Sequence, residues 1–258
     1  MLDWWRNRRL RRARPDARAL DQVVAAFPVL ERLDDDQRQL LYERVTEILA
    51  DKSFQAAGGL ALKPSDVLAV AALAALPILY LGTDWYRQFH TFILYPGEFQ
   101  AEFEEVDDDG LIHSGVEPRL GEAWAHGPVV LGLEEVKRSG HGEGFNVVVH
   151  ELAHQIDQLN GDMDGFPPLH EDMDAEQWAS IFSQAFERLC EEVDNDLPPS
   201  LDPYAAESPA EFFAVASELY FDIPDWLSEH QPDLYQQLAA FYQKNTTNRE
   251  DAKNTKVE

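Results

Sequence analysis

His150, Glu151 and His154 are the residues of this chain whose types and spacing most directly specify chemistry. Two histidines four apart lie one turn apart on the same helix face, so their imidazoles can converge on one cation. Zn2+ takes such nitrogens at about 2.0–2.1 Å. A catalytic zinc keeps one position open for water and brings its pKa to about 7, where a nearby carboxylate can remove the proton. Glu151, next to the first histidine, is placed to be that carboxylate and not a ligand. The competing reading is two surface histidines on an amphipathic helix. The context argues against it, because the motif lies in NVVVHELAHQIDQLN (146–160), follows three valines and is closed by Gly161 as a C-cap. Val147, Val148, Leu152, Ile156 and Leu159 supply the apolar stripe. The expectation is one Zn2+ per chain on a hydrolytic site.

Such a site needs a third protein ligand. Positions 157 and 160, where a third histidine motif would continue, are Asp and Asn, so a carboxylate from a later helix is expected. The best candidate is Glu211, in the segment Ser208-Pro209-Ala210-Glu211-Phe212-Phe213. Glu211 also fits a second role. Ser208 as N-cap, Pro209 at the first helical position and Glu211 at the third would form a capping box, which needs no metal. Spacing alone leaves ligand and cap open. Asp157 is either a carboxylate orienting a ligand imidazole or a solvated helix-end charge; Glu218, seven residues after Glu211 on the same helix face, is one further candidate, with surface exposure the favoured reading. Asn160, Asp162, Asp164, Gly165 and Glu171 have calcium-loop spacing, but Pro167-Pro168 interrupts it and an acidic turn explains it as well.

The elements that must position these residues follow from pattern. Residues 20–50 show apolar positions at helical spacing, and Val67 to Leu81 (VLAVAALAALPILYL) reads as a buried helix capped by Ser65, too short to span a bilayer. After Gly82, residues 92–95, 99–106 and 129–136 read as strands, with a turn at Asp107-Asp108-Asp109-Gly110. Helices are expected over 146–160, 174–193, 208–221 and 235–242. The fold class is therefore α+β, mainly helical with a small mixed sheet and a helical N-terminal part. Boundaries are set at 1–19 for a basic arm, 20–90 for a helical subdomain, 91–245 for the catalytic part and 246–258 for a disordered tail.

Composition narrows the partners. A net charge of −27 makes nucleic acid a poor direct partner, since binding it requires neutralised phosphates. Seven of the 21 basic residues lie in the first 18 positions beside only Asp3 and Asp16, so residues 19–258 carry 14 basic against 46 acidic groups. Arg6, Arg8, Arg9, Arg11, Arg12, Arg14 and Arg18, with Trp4 and Trp5 among them, read as a frayed terminus or as a segment that lies on an anionic membrane. Cys190 alone excludes an intrachain disulfide, and with no signal peptide or transmembrane segment the expected place is the cytoplasm.

Beyond these residues lies a resemblance. A His-Glu-x-x-His helix followed downstream by Pro-Ala-Glu-Phe-Phe-Ala-Val (209–215) resembles the Mlc titration factor A family of bacterial zinc peptidases. More distantly it is similar to the catalytic domain of anthrax lethal factor. The likeness runs from about Trp85 and FILYPGEF through Pro128-Val129-Val130-Leu131 to Leu234-Tyr235 and Phe241-Tyr242. It departs at Glu207-Ser208, where Thr-Asn is the pattern; Ser caps as well as Asn. The resemblance implies a zincin-like fold, His150, His154 and Glu211 as zinc ligands, Glu151 as general base and Tyr204 as donor to the tetrahedral oxyanion. A Tyr packed in a Pro-flanked turn is the plain alternative for Tyr204. It also implies aminopeptidase activity on a peptide substrate, and binding of the DNA-binding repressor Mlc, which relieves repression of sugar-uptake genes. The second function class is thus a non-catalytic, repressor-sequestering protein with a structural zinc, and an acidic surface suits a basic partner. The Gly-x-Met-Glu-Asn signature of other zinc aminopeptidases is missing; Glu134 or Glu135 would have to receive the substrate amine. Residues 129–134 are expected to be an edge strand pairing with an extended peptide.

Overall fold

Short polar side chains start most of the helices that build the site. The backbone N–H groups of a first helical turn have no partner within the helix, so a carboxylate, amide or hydroxyl just before it is stabilising. Asp16 accepts from the Ala19 N–H at 3.0 Å, Asp34 and Gln37 form a reciprocal box, and Asp174 accepts from Glu176 and Gln177. The structure, a computed structural model, describes the backbone of residues 2–97, 99–106, 112–119, 121–123 and 127–243, and side chains over 8–97 and 127–243. Its helices are α1 (Leu2–Ala13), α2 (Ala17–Ala26), the short α3 (Pro28–Glu31), α4 (Asp35–Asp51), α5 (Pro64–Ala74), α6 (Leu133–Arg138), α7 (Val147–Asp157), α8 (Ala175–Asp194), α9 (Pro209–Asp222), α10 (Pro224–His230) and α11 (Pro232–Tyr242). The strands are β1 (Ser53–Ala56), β2 (Thr91–Tyr95), β3 (Phe99–Val106), β4 (Ile112–Arg119), β5 (Gly121–Ala123) and β6 (Val129–Gly132).

The main sheet has the order β1-β2-β6-β5, and β3 and β4 form a separate antiparallel ribbon. β1, β2 and β6 run parallel, with Phe92 opposite both Phe54 and Val129, while β5 is antiparallel to β6. The chain is thus α+β: mostly helical with a small mixed sheet, as its patterning predicts.

Three local expectations need correction. Residues 133–136 are helix and not strand. β6 stops at Gly132, and Leu133–Arg138 turns into α6 with Glu134 and Glu135 in its first turn, where acidic groups favour a helix start. Nor is the 129–134 segment an edge. β6 is bonded on one side to β2 and on the other to β5, and all four of its residues are buried. An unbroken apolar run of this kind marks an interior strand. The first third, read as all helix, contributes strand β1. Its sequence SFQA is short and mostly exposed, so neither length nor alternation reveals it.

The core forms where α5, α7 and α9 are buried. Leu68 to Ala75 are buried without interruption, and α5 ends at Ala74, ahead of Pro77. Its start is Lys63, whose N–H donates to Asp66 at 3.0 Å, so Ser65 lies inside the first turn and not at the cap. Trp178, Phe182, Phe213 and Phe241 make an aromatic cluster joining α8, α9 and α11. Residues 2–13, read from sequence as part of a basic arm, form α1, held to α4 by Arg9 Nη2–Asp51 Oδ1 at 2.7 Å. Among the described residues no helix is long and apolar enough to cross a membrane. The expected turn at 107–110 and the tail beyond residue 244 lie outside the described residues.

Candidate metal centre

α7 carries the histidines and is buried on every side, all eleven residues from Val147 to Asp157. This exceeds the one-sided stripe expected from the sequence. Val149 and Ala153 pack where an amphipathic helix would meet water. Asn146 caps α7, its side-chain oxygen accepting from the Val149 N–H at 3.1 Å, and the Ser139 hydroxyl accepts from the Val147 N–H at 3.1 Å. After α7 a 3₁₀ turn (Gln158–Asn160) leads to Gly161, whose φ of +120° ends the run.

The packing of α9 against α7 brings Glu211 to the two rings. His150 Nε2 and His154 Nε2 are 3.2 Å apart, and Glu211 oxygens lie 2.9 Å from the first and 3.4 Å from the second. A tetrahedral ion with donors at about 2.0–2.1 Å spaces those donors at about 3.3 Å. All three separations agree with that figure to within a few tenths of an ångström. Glu211 Oε2 lies 2.9 Å from His150 Nε2 and its Oε1 3.4 Å from His154 Nε2, so the carboxylate spans both rings. Among the described residues this is the one group of His, Cys, Asp or Glu side chains able to hold a metal ion.

Electrostatics point the same way. Burial alone would lower the His150 pKa, but the Glu211 and Glu218 carboxylates outweigh it and hold it well above the usual imidazole range. Burial would raise Glu211, yet the His150 and His154 side chains hold its carboxyl well below the usual carboxylate range. The pocket therefore favours a positive charge between rings and carboxylate, which a divalent cation meets.

At Glu211 the cap and the carboxylate fall to different atoms. The Ser208 hydroxyl accepts from the Glu211 backbone N–H at 3.2 Å and caps α9, while the Glu211 side chain turns to the histidines. Cap and candidate ligand are different atoms of the same turn.

Glu218, a further candidate by its place on the Glu211 face with a surface charge as the alternative, is buried. Its Oε1 lies 2.8 Å from His150 Nδ1 and its Oε2 accepts from the Asn146 N–H. One carboxylate thus fixes the ring and the start of its helix. A ligand histidine whose second nitrogen is held this way keeps its tautomer and orientation. The signal was available: Glu218 stands two turns beyond Glu211, on the same helix face. Glu218→Gln keeps the shape and removes the charge. It is expected to weaken metal binding about tenfold or more, read by competition with a chromophoric chelator.

Asp157 takes neither role expected of it. It is fully buried, Oδ2 accepts from the Gly165 N–H at 2.7 Å, and burial pushes its pKa up to about 7. It anchors the loop after α7. That loop needs glycine at 165, where φ is +77° and a Cβ would stand 2.4 Å from the Pro209 carbonyl oxygen. Two of the calcium-like residues bond within the loop, Asn160 Nδ2 donating to the Phe166 carbonyl and Asp164 accepting from the Phe166 N–H.

Glu151 is buried beside the rings, close enough for its charge to raise the His150 pKa. Tyr204, in the turn Pro203–Ala206, is held by Asp202, which accepts from its N–H at 2.9 Å. Its ring lies 5.9 Å from the His150 ring between centroids and is 46% exposed. Glu134 is exposed on α6 and Glu135 buried.

The model of the glucose-regulated metallo-peptidase M90 family matches residues 2–243. The chain belongs to that family. The match takes in α7, the Tyr204 turn and α9 together, so the M90 assignment covers the whole donor set. Among its relatives is Mlc titration factor A of Serratia proteamaculans, 37% identical over 251 residues, 95% of this chain and 94% of that protein. The proteins of the same name from Klebsiella pneumoniae and Pectobacterium atrosepticum are each 36% identical, covering 88% and 95% of this chain and 87% and 92% of theirs. The likeness to the Mlc titration factor A proteins expected from the His-Glu-x-x-His and Pro-Ala-Glu-Phe-Phe-Ala-Val segments is thus found along nearly the whole M90 chain.

Proposed function

We propose that this chain is a zinc-dependent peptidase that removes residues from the amino end of peptides, with 91–245 as its catalytic part. The observation that carries the reading is the spacing of the His150, His154 and Glu211 donor atoms, which suits a tetrahedral ion. When bound at His150, His154 and Glu211, Zn2+ supplies Lewis acidity that makes water acidic enough to be deprotonated near neutral pH. Glu151 takes the proton of the attacking water on its carboxylate and later delivers it to the leaving amine. Tyr204 donates its phenolic hydrogen to the oxyanion that develops on the scissile carbonyl, an interaction stronger in the transition state than in the bound substrate. Glu218 keeps the His150 ring turned so that Nε2 faces the donors of His154 and Glu211. Burial of His150, Glu151 and His154 strengthens each of these interactions by excluding water.

A second reading, compatible with the first, is that the acidic body binds a basic DNA-binding repressor such as Mlc in the cytoplasm. It rests on the names of the relatives and on the charge of −27. Purified protein is expected to carry one zinc per chain by elemental analysis. Chelation should abolish hydrolysis of peptide p-nitroanilides, and zinc should restore it. Hydrolysis that survives complete metal removal would exclude the zinc mechanism, whereas zinc-loaded protein that hydrolyses no peptide would leave repressor sequestration as the function.

A further inference from the structure

We propose that the N-terminal helix and the groove beside it form a docking face for anionic membrane lipid. The strongest charge contrast in the chain lies here. The first 18 residues carry a net of +5 and the remaining 240 a net of −32. Five of the seven arginines stand on a built element: α1 lies on α4, tied by Arg9 to Asp51, and the Tyr42 hydroxyl donates to the Pro15 carbonyl just beyond it at 3.0 Å. Leu10 and Ala13 are half-buried on the side facing the body, while Arg8, Arg11, Arg12 and Arg14 are exposed. Arg8, Arg11 and Arg12 are three and four residues apart and share one face. Exposed arginines along a helix about 18 Å long suit the surface of an anionic leaflet.

The second observation is the groove that opens where α1 ends. It is about 750 Å³, and its walls include Pro15, Ala19, Val23, Phe27, Leu49 and Leu68. Nucleic acid would neutralise the arginines but has no use for this apolar surface, whereas a phospholipid offers both a phosphate and hydrocarbon. The acidic body does not forbid approach, because at about 0.1 M salt charges more than about 10 Å from the contact are screened. No step of the proposed peptidase chemistry uses these residues, so this inference stands or falls apart from it.

The full chain is expected to co-sediment with phosphatidylcholine vesicles containing phosphatidylglycerol and not with pure phosphatidylcholine, and added salt should release it. Each arginine near an anionic leaflet strengthens binding roughly fivefold, so R8Q/R11Q/R12Q should weaken it roughly 100-fold. That variant should keep wild-type helicity and metal content. Ala19→Glu, which puts a charge on the half-buried groove wall, should also weaken vesicle binding. Failure to bind phosphatidylglycerol vesicles, or binding indifferent to the three arginines, overturns the proposal. Tighter binding to duplex DNA than to vesicles, lost in the same variant, would overturn it in favour of nucleic acid.

Discussion

Glu151→Gln is expected to lower kcat/KM on peptide p-nitroanilides by about 10²–10⁴-fold while the metal content of the protein stays at the wild-type level. The two side chains are nearly isosteric, so the buried site keeps its packing, and Glu151 is not among the three donors that converge. The amide cannot take a proton from water or return one to the leaving amine. A loss confined to kcat would place the role in the transition state, as proton transfer requires. Repressor binding, if this chain performs it, should be untouched, which makes the variant a clean separator of the two readings. A variant that retains full hydrolysis would exclude Glu151 as the base. A variant that loses its metal as well would mean that Glu151 also acts as a ligand.

The chemistry-bearing residues were legible in the sequence because their spacing is local. His150 and His154 lie on one helical turn, and Ser208-Pro209 marks a helix start whatever surrounds it. What the sequence could not say concerned contacts between distant segments. Whether Glu211 ligates or caps depends on how α9 packs on α7. The backbone N–H of Glu211 takes the Ser208 cap while its carboxylate lies against the His150 ring, so the two proposed jobs fall on different atoms. Glu218 looked like surface because a carboxylate usually is; only its partners, the His150 ring and the Asn146 N–H, explain its burial. The same holds for strands. Val129-Val130-Leu131 is recognisably extended, but its place between β2 and β5 is a matter of topology, and β1 has almost no apolar content to betray it. Asp157 shows the limit from the other side. Its position on α7 suggested a link to an imidazole, whereas its carboxylate is occupied by the Gly165 N–H of the following loop.

Glu211→Gln and Ser208→Ala, made side by side, should separate the two jobs that meet at the start of α9. Removing the negative charge from the donor set should weaken zinc binding by more than about 100-fold, a larger loss than that expected from a residue acting through a ligand. The helix should still form, because the cap is the Ser208 hydroxyl on the Glu211 backbone N–H and that bond does not involve the carboxylate. Ser208→Ala reverses the pattern. It should cost about 1 kcal/mol of stability and leave zinc stoichiometry unchanged. Thermal unfolding with and without zinc distinguishes them on one instrument, since a ligand stabilises a protein only as far as it binds the folded state. The zinc-induced rise in Tm should persist in Ser208→Ala at a lower baseline and vanish in Glu211→Gln. If the rise survived in Glu211→Gln, the third donor would have to be another residue. The 2.9 Å and 3.4 Å approaches of Glu211 to the two rings would then be no more than ion pairs with histidines.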